Sequence, residues 1–186
     1  MGKVLFGLSM SLDGFIADKH DDVSEVFAWM GQAMERFHEV VGEGMNEAGA
    51  VIMGRRTFTQ IYSERGWVMP DGTPLPWPVV VLQSQARAPE QKGHTHFSFV
   101  TDGIENAVAK AQELAGEKDV ALHGASAVQQ ALQVGLLDEF QLSIAHVLLG
   151  EGVRLFDHLG SQVIHLEHLR TVESPGATHL SFRVVK

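Results

Sequence analysis

The residues Gly54-Arg55-Arg56-Thr57, following the apolar run Ala50-Val51-Ile52-Met53, bring together a glycine, two guanidinium groups and a hydroxyl. An apolar run that breaks in this way reads as a strand feeding the first turn of a helix. Such a turn aims unpaired backbone N–H groups and the positive end of the helix dipole at whatever lies above it, which suits phosphate. Gly54 lets the backbone approach closely, the arginines add fixed charge and forked donors, and Thr57 adds a hydroxyl. The same four residues also suit a plain surface turn with two solvated arginines. Asp13, in Ser11-Leu12-Asp13-Gly14, is the second candidate. Its carboxylate either orients a substrate or relays a proton, or it closes an Asx-type turn before Gly14.

Other chemistries find less support. With no cysteine there are no disulfides, thiolate nucleophiles or sulfur-ligated metals, and a reducing cytoplasm is permitted. His94 and His96, and His165 and His168, lie on strand-like segments without a matching carboxylate, so no metal is expected. Gly124-Ala125-Ser126 is not a nucleophile elbow. Glu35, His38 and Glu39 either supply a further acid or form a solvated face. The net charge of −9 argues against nucleic acid or an anionic membrane as partner, while local arginines can still hold a small phosphorylated molecule. The run Met1 to Leu8 is too short for a signal peptide and no stretch reaches the length of a membrane span, so a cytoplasmic protein is expected.

The elements that must position these residues follow from periodicity and breakers. Val4 to Met10 reads as a buried strand that turns at Gly14, placing Asp13 at its end. Val26, Phe27, Met30, Met34, Phe37, Val40, Val41 and Met45 recur at helical spacing, predicting an amphipathic helix from Ser24, its N-cap, to Glu47. Ile61 to Pro78, rich in proline and carrying Trp67 and Trp77, predicts an ordered loop rimming a pocket. Val79 to Leu82 is a buried strand closing on Gln83-Ser84-Gln85, and His96 to Val100 is another. Thr101-Asp102-Gly103 caps a helix from Ile104 to Ala115. Asp119 to His123 is a strand, and Ala127 to Val134 a helix ended by Gly135. From Asp138 one long strand runs to Leu149, Val153 to Phe156 makes a corner, and strands Val163 to Val172 and Thr178 to Val185 form a hairpin across Pro175-Gly176. The expectation is an α/β fold in one domain, residues 1–186, with a parallel sheet finished by antiparallel strands.

In an open α/β sheet, ligands bind beyond the carboxyl ends of the strands. That edge collects Ser11 and Asp13, Gly54 to Thr57, Gln83 to Gln85, and His123 to Ser126, enough polar turns to hold a dinucleotide, although no G-x-G-x-x-G is present. The segments Ser11-Leu12-Asp13-Gly14-Phe15-Ile16-Ala17, Met53 to Phe58, Gly124-Ala125, Gly135-Leu136-Leu137-Asp138-Glu139 and Val147 to Phe156 span almost the whole chain in this order. Together they resemble the dihydrofolate-reductase-like superfamily, specifically the reductase domain of the bifunctional riboflavin-biosynthesis deaminase-reductase and its stand-alone relatives.

The resemblance implies a three-layer fold with a mixed, mostly parallel central sheet flanked by helices and a C-terminal antiparallel hairpin. It also implies an NADPH-dependent oxidoreductase, like dihydrofolate reductase or 5-amino-6-(5-phosphoribosylamino)uracil reductase. The substrate receiving the hydride would be a small heterocycle or carbonyl compound, pterin- or aminopyrimidine-like. Gly54, Arg55, Arg56 and Thr57 would hold the adenosine phosphates and Ser84 would lie near the ribose 2′-phosphate. His123, Gly124, Ala125 and Ser126 would contact the pyrophosphate or nicotinamide half. Asp13, as catalytic residue, with the backbone around Leu12 and Ala17, would face nicotinamide and substrate. His123 stands where relatives carry glycine, and His146 where they carry proline. A nucleotide-binding protein of the same fold without reductase activity is the alternative. A homodimer is expected too, with Leu142 to Leu149 as the strand that pairs or packs with its twin.

Overall fold

Short runs of β-branched and aromatic residues alternate with glycine-bounded helices over most of the chain, and the computed structural model describes residues 2–31, 48–64, 66–68 and 73–186. Its strands are β1 (Val4–Ser11), β2 (Phe15–Ala17), β3 (Ala48–Gly54), β4 (Val79–Leu82), β5 (Glu90–Lys92), β6 (Thr95–Val100), β7 (Asp119–His123), β8 (Glu139–Ala145), β9 (Val153–Arg154), β10 (Leu166–Ser174) and β11 (Ala177–Val184). Helix α1 is Ser24–Phe27, α2 is Arg55–Thr57 running on into a single π-helical turn Phe58–Tyr62, α3 is Ile104–Ala115 and α4 is Ala125–Gln133. Nine strands form one sheet in the order β10-β11-β8-β1-β7-β3-β4-β6-β5, and β2 pairs with β9 in a small second sheet. The strands from β8 across to β6 are mutually parallel, while β5, β11 and β10 run antiparallel to their neighbours.

Strand alternation gives the sheet two unlike faces. One face buries Val4, Phe6, Ala50, Ile52, Val80, Val120, Leu122, Phe140 and Leu142 beneath α3 and α4, whose alanine- and valine-rich stripes supply Ala107, Val108, Ala111, Ala127, Val128 and Ala131. The register Val51 to Ala121, Met53 to His123, Leu5 to Ala121 and Ser9 to Ser143 defines the other face. There the β3–β4–β6 half is apolar and capped by Phe58, Tyr62 and Trp67. The β1–β8–β11 half on that same face carries Gly7, Ser9, Gln141, Ser143 and His179. A fold with an apolar half-face beside a small, polar one has to leave a cleft along their junction, and this is where the cavity lies.

Several expected elements differ in detail. The helix from Ser24 to Glu47 is interrupted: α1 ends at Phe27 and a turn carries Ala28 and Trp29. Within α1 only Val26 is buried, so Phe27 is not part of a continuous core-facing stripe. Residues 32–47, with Glu35, His38 and Glu39, lie outside the described residues. Ser24 is not the N-cap; that position is Val23, and the Ser24 hydroxyl donates instead to Asp22. Gly103 rather than a side chain caps α3, and α4 begins two residues earlier than expected, at Ala125. The long strand stops at Ala145, where Val147 N turns back onto Ala145 O, and further on the backbone N–H groups of Leu149 and Gly150 donate to the Asp13 carboxylate. Strand β8 lies between β1 and β11, so both of its edges are paired and it cannot add to a twin strand. Among the described residues no helix is long and apolar enough to cross a membrane.

Candidate functional site

Strand β3 delivers Gly54 to the start of α2, and β7 delivers Gly124 to the start of α4; neither helix has a side-chain cap. The two starts touch. A Cβ on Gly124, whose φ is +88°, would sit 2.6 Å from Thr57 Oγ1, and one on Gly54 would lie 3.5 Å from Ser126 Cβ. Glycine at position 124 is thus required twice, by the left-handed backbone and by the close approach. Two uncapped first turns side by side pool their unpaired N–H groups, with the Thr57 and Ser126 hydroxyls between them.

Around this seat opens a cavity of about 1290 Å³. On its rim Arg55 and Ser84 are exposed, and Arg56 Nη2 donates to Asp21 Oδ1 at 2.5 Å while Gln60 Nε2 donates to Asp21 Oδ2 at 2.8 Å. Arg56 beside it holds the Asp21 carboxyl below the usual range. Arg154 stacks over the Phe15 ring, 4.4 Å from its centroid.

The apolar wall contains His123, half-buried, with its Nε2 3.4 Å from the Tyr62 hydroxyl and its ring edge-on to Trp67 at 4.9 Å. Burial among these rings pushes its pKa down to about 4, so the imidazole is neutral at pH 7. The polar floor is tied from behind. Trp29 Nε1 donates to Ser9 Oγ at 3.1 Å, and His179, buried and edge-on to Trp29, bridges Ser143 Oγ through Nδ1 at 2.8 Å and Ser174 Oγ through Nε2 at 2.7 Å. Desolvation lowers the His179 pKa as well. Each floor hydroxyl therefore has one bond fixed in the protein and retains further capacity for a bound molecule.

Asp13 occupies a different place from the one expected of a substrate-facing acid. Its Oδ1 accepts from Ser11 Oγ at 2.6 Å and Leu149 N at 3.1 Å, and its Oδ2 from Gly150 N at 2.7 Å. The Ser11 hydroxyl above all, with the two backbone N–H groups, pulls its pKa down to about 2. A carboxylate so held stays ionised at neutral pH and has no proton to relay. Neither Asp13 nor the exposed Leu12 lines the cavity, whereas Ala17, Gly54 to Thr57, Ser84 and His123 to Ser126 all do. Ser9, Ser143, Gln141, Trp29, Asp21 and Tyr62 also line it. For Ser9, Gln141 and Ser143 the signal in the sequence was only polar residues at alternate positions of otherwise buried strands, and Asp21 and Trp29 in turns and Tyr62 in the π-helical turn carried no such pattern. Among the described residues no cluster of histidine, aspartate and glutamate is placed to hold a metal.

A mostly parallel nine-stranded sheet with helix starts paired at its carboxyl edge defines a dihydrofolate-reductase-like α/β protein. The chain belongs to the RibD C-terminal domain family, whose profile matches residues 2–180. It is 27% identical over 179 residues to the uncharacterized protein YyaP of Bacillus subtilis (strain 168), spanning 91% of this chain and 87% of that one. Among solved structures, a putative riboflavin biosynthesis protein from Shewanella sp. PV-4 superposes with a TM-score of 0.75 at 23% identity over the full length of both chains. Dihydrofolate reductase from Enterococcus faecalis, complexed with NADP(H), superposes with a TM-score of 0.64 at 14% identity over 100% of this chain and 98% of that one. These two likenesses establish the fold.

Proposed function

We propose that this chain is an NADPH-dependent reductase of a small heterocyclic or carbonyl substrate, pterin- or aminopyrimidine-like. The observation that carries the reading is the joined pair of uncapped helix starts, Gly124 against Thr57 and Gly54 against Ser126. A Cβ at Gly124 would fill this cradle, so the residues present fit a close-lying phosphate. Gly54 to Thr57 and Gly124 to Ser126 would hold the phosphates, Arg55, Arg56 and Ser84 the adenosine end, and Ala17 and His123 the wall beside the nicotinamide. NADPH, when bound, supplies the hydride. The chain's own residues orient and desolvate: the aromatic wall excludes water, and Ser9 and Ser143 present hydroxyls from the floor. Neutral His123 would place no cation on the nicotinamide side of the wall. Asp13 acts through the Leu149–Gly150 backbone it fixes, as a positioning residue.

The test is a fluorescence titration of NADPH followed by absorbance loss across pterins, aminopyrimidines and quinones. Binding of NADPH in clear preference to NADH, with turnover of one substrate class, supports the reading. If Arg55→Ala plus Arg56→Ala leaves the NADPH over NADH preference intact, the phosphate assignment falls, since those cations should favour the 2′-phosphate. A second reading, a nucleotide-binding protein of this fold without turnover, is favoured by one observation: the Asp13 carboxylate is engaged by Ser11 and by the backbone of Leu149 and Gly150. Tight NADPH binding with no substrate consumed would put it first.

A further inference from the structure

Asp21 belongs to the turn Asp18–Ser24 that joins β2 to α1, and that turn is closed without the Asp21 side chain. Asp18 Oδ1 accepts from His20 N at 2.7 Å and Asp22 N at 2.9 Å, and Asp22 in turn accepts from Ser24 N at 2.8 Å. The backbone of Asp21 is left-handed, with φ +65°, and its N–H donates to Asp18 O. This geometry frees the Asp21 carboxylate to cross the cavity rim and meet α2, where Arg56 takes one oxygen and Gln60 the other. Arg56 and Gln60 are four residues apart and present donors to the same side. An acceptor pair facing a guanidinium and an amide is the arrangement a phosphate oxygen pair would adopt there.

We infer that Asp21 is an internal stand-in for the ligand's phosphate: its carboxylate occupies Arg56 until a phosphate displaces it, and displacement unties the Asp18–Ser24 turn from α2. This rests on the reading that Arg56 serves a nucleotide phosphate. The exchange is feasible because the pair is partly exposed, with Arg56 at 63% and Asp21 at 28%, and ion pairs in such settings are weak. A phosphate with a second negative charge gains more from the same guanidinium, and the carboxylate left beside it repels it. Asp21 therefore sets how tightly the rim can hold a phosphate.

Asp21→Asn tests this, because asparagine tolerates the same left-handed backbone and leaves the Asp18 bonds in place. NADPH is expected to bind the variant about threefold to tenfold more tightly than the wild type. On an Arg56→Ala background the same change should have no effect, since the two residues act through one contact. Amide hydrogen exchange in Asp18–Ser24 should quicken when NADPH binds the wild type. If the wild type binds NADPH and Asp21→Asn binds it equally or more weakly, the inference falls while the nucleotide reading stands. If neither protein binds NADPH, the nucleotide reading falls, and inorganic pyrophosphate then judges the inference alone. A gain in pyrophosphate affinity on Asp21→Asn supports it, and no gain, or no binding to either protein, overturns it.

Discussion

Two glycines on the cavity wall have opposite tolerances, and on the proposed reading they tell the cofactor's part of the cavity from the substrate's. Gly124→Ala forces a Cβ to 2.6 Å from Thr57 Oγ1 in a backbone with φ +88°. It should cost about 1–3 kcal/mol of stability by urea unfolding and weaken NADPH by at least about tenfold in fluorescence titration. Gly7, on β1 beside Ser9, has nothing within 4 Å of its would-be Cβ among the described residues and lines the cavity. Gly7→Leu should therefore fold at wild-type stability, bind NADPH, and lose about tenfold or more in turnover as its side chain occupies the substrate floor. His123 makes a pH prediction. Its folded pKa of about 4 lies below the ordinary 6.5, so the unfolded chain binds more protons between these values. Stability is full above pH 6.5 and declines as pH falls from 6.5 toward 4, with buried His179 adding in the same direction. The thermal midpoint of His123→Phe should fall less steeply than that of the wild type over this window.

At the scale of elements, Asp13 couples two segments far apart in sequence, the turn after β1 and the loop after β8. Asp13→Ala leaves the Leu149 and Gly150 N–H groups without their acceptor, and amide exchange at both should quicken by about tenfold or more while the helix-covered core strands stay protected. Because the folded Asp13 pKa is about 2, this tie persists in acid until pH falls below the ordinary 3.8 and is lost toward 2. The same coupling explains which elements were legible in sequence. Strands β4 and β7 and helices α3 and α4 announce themselves through local apolar runs and glycine stops, and the Pro175-Gly176 hairpin through its turn chemistry. Strand β2 has three residues and exists only because the distant β9 pairs with it, while the equally short β5 is one arm of a local hairpin with β6 that turns at Gly93-His94. The loop after β8 is held by an aspartate 136 residues before Leu149, since Asp13 accepts from the Leu149 and Gly150 N–H groups. The two joined helix starts at Gly54 and Gly124 were legible because glycine, arginine and hydroxyl types are scarce and informative. The Ser9–Ser143–His179 floor was not, because buried serines on alternate positions look like ordinary strand pattern until register brings three strands together.

For the whole molecule, the sheet ends in two unlike edges. Strand β5, Glu90–Lys92, is short and charged, a combination that discourages edge pairing, and Arg87 ties to Glu90 beside it. Strand β10, Leu166–Ser174, is nine residues long, exposed along nearly its full length, and carries Leu166 and Leu169 at 44% and 40% exposure. A long, partly apolar edge is a liability that folded proteins ordinarily cover. The homodimer we propose for this family member therefore uses β10 rather than the interior strand β8. Sedimentation equilibrium should report twice the chain mass, and Leu169→Lys should shift the population toward monomer by placing a charge on that edge. No residue of β10 lines the cavity, so the same variant should bind NADPH with wild-type affinity. A wild-type chain that sediments as a monomer would remove the dimer. A dimer unmoved by Leu169→Lys would leave β10 uncovered and place the contact on another surface. Loss of NADPH affinity in the monomerised variant would instead mean that the second copy supports the cavity from outside, through the β11–β8–β1 strands whose polar floor it would be bracing.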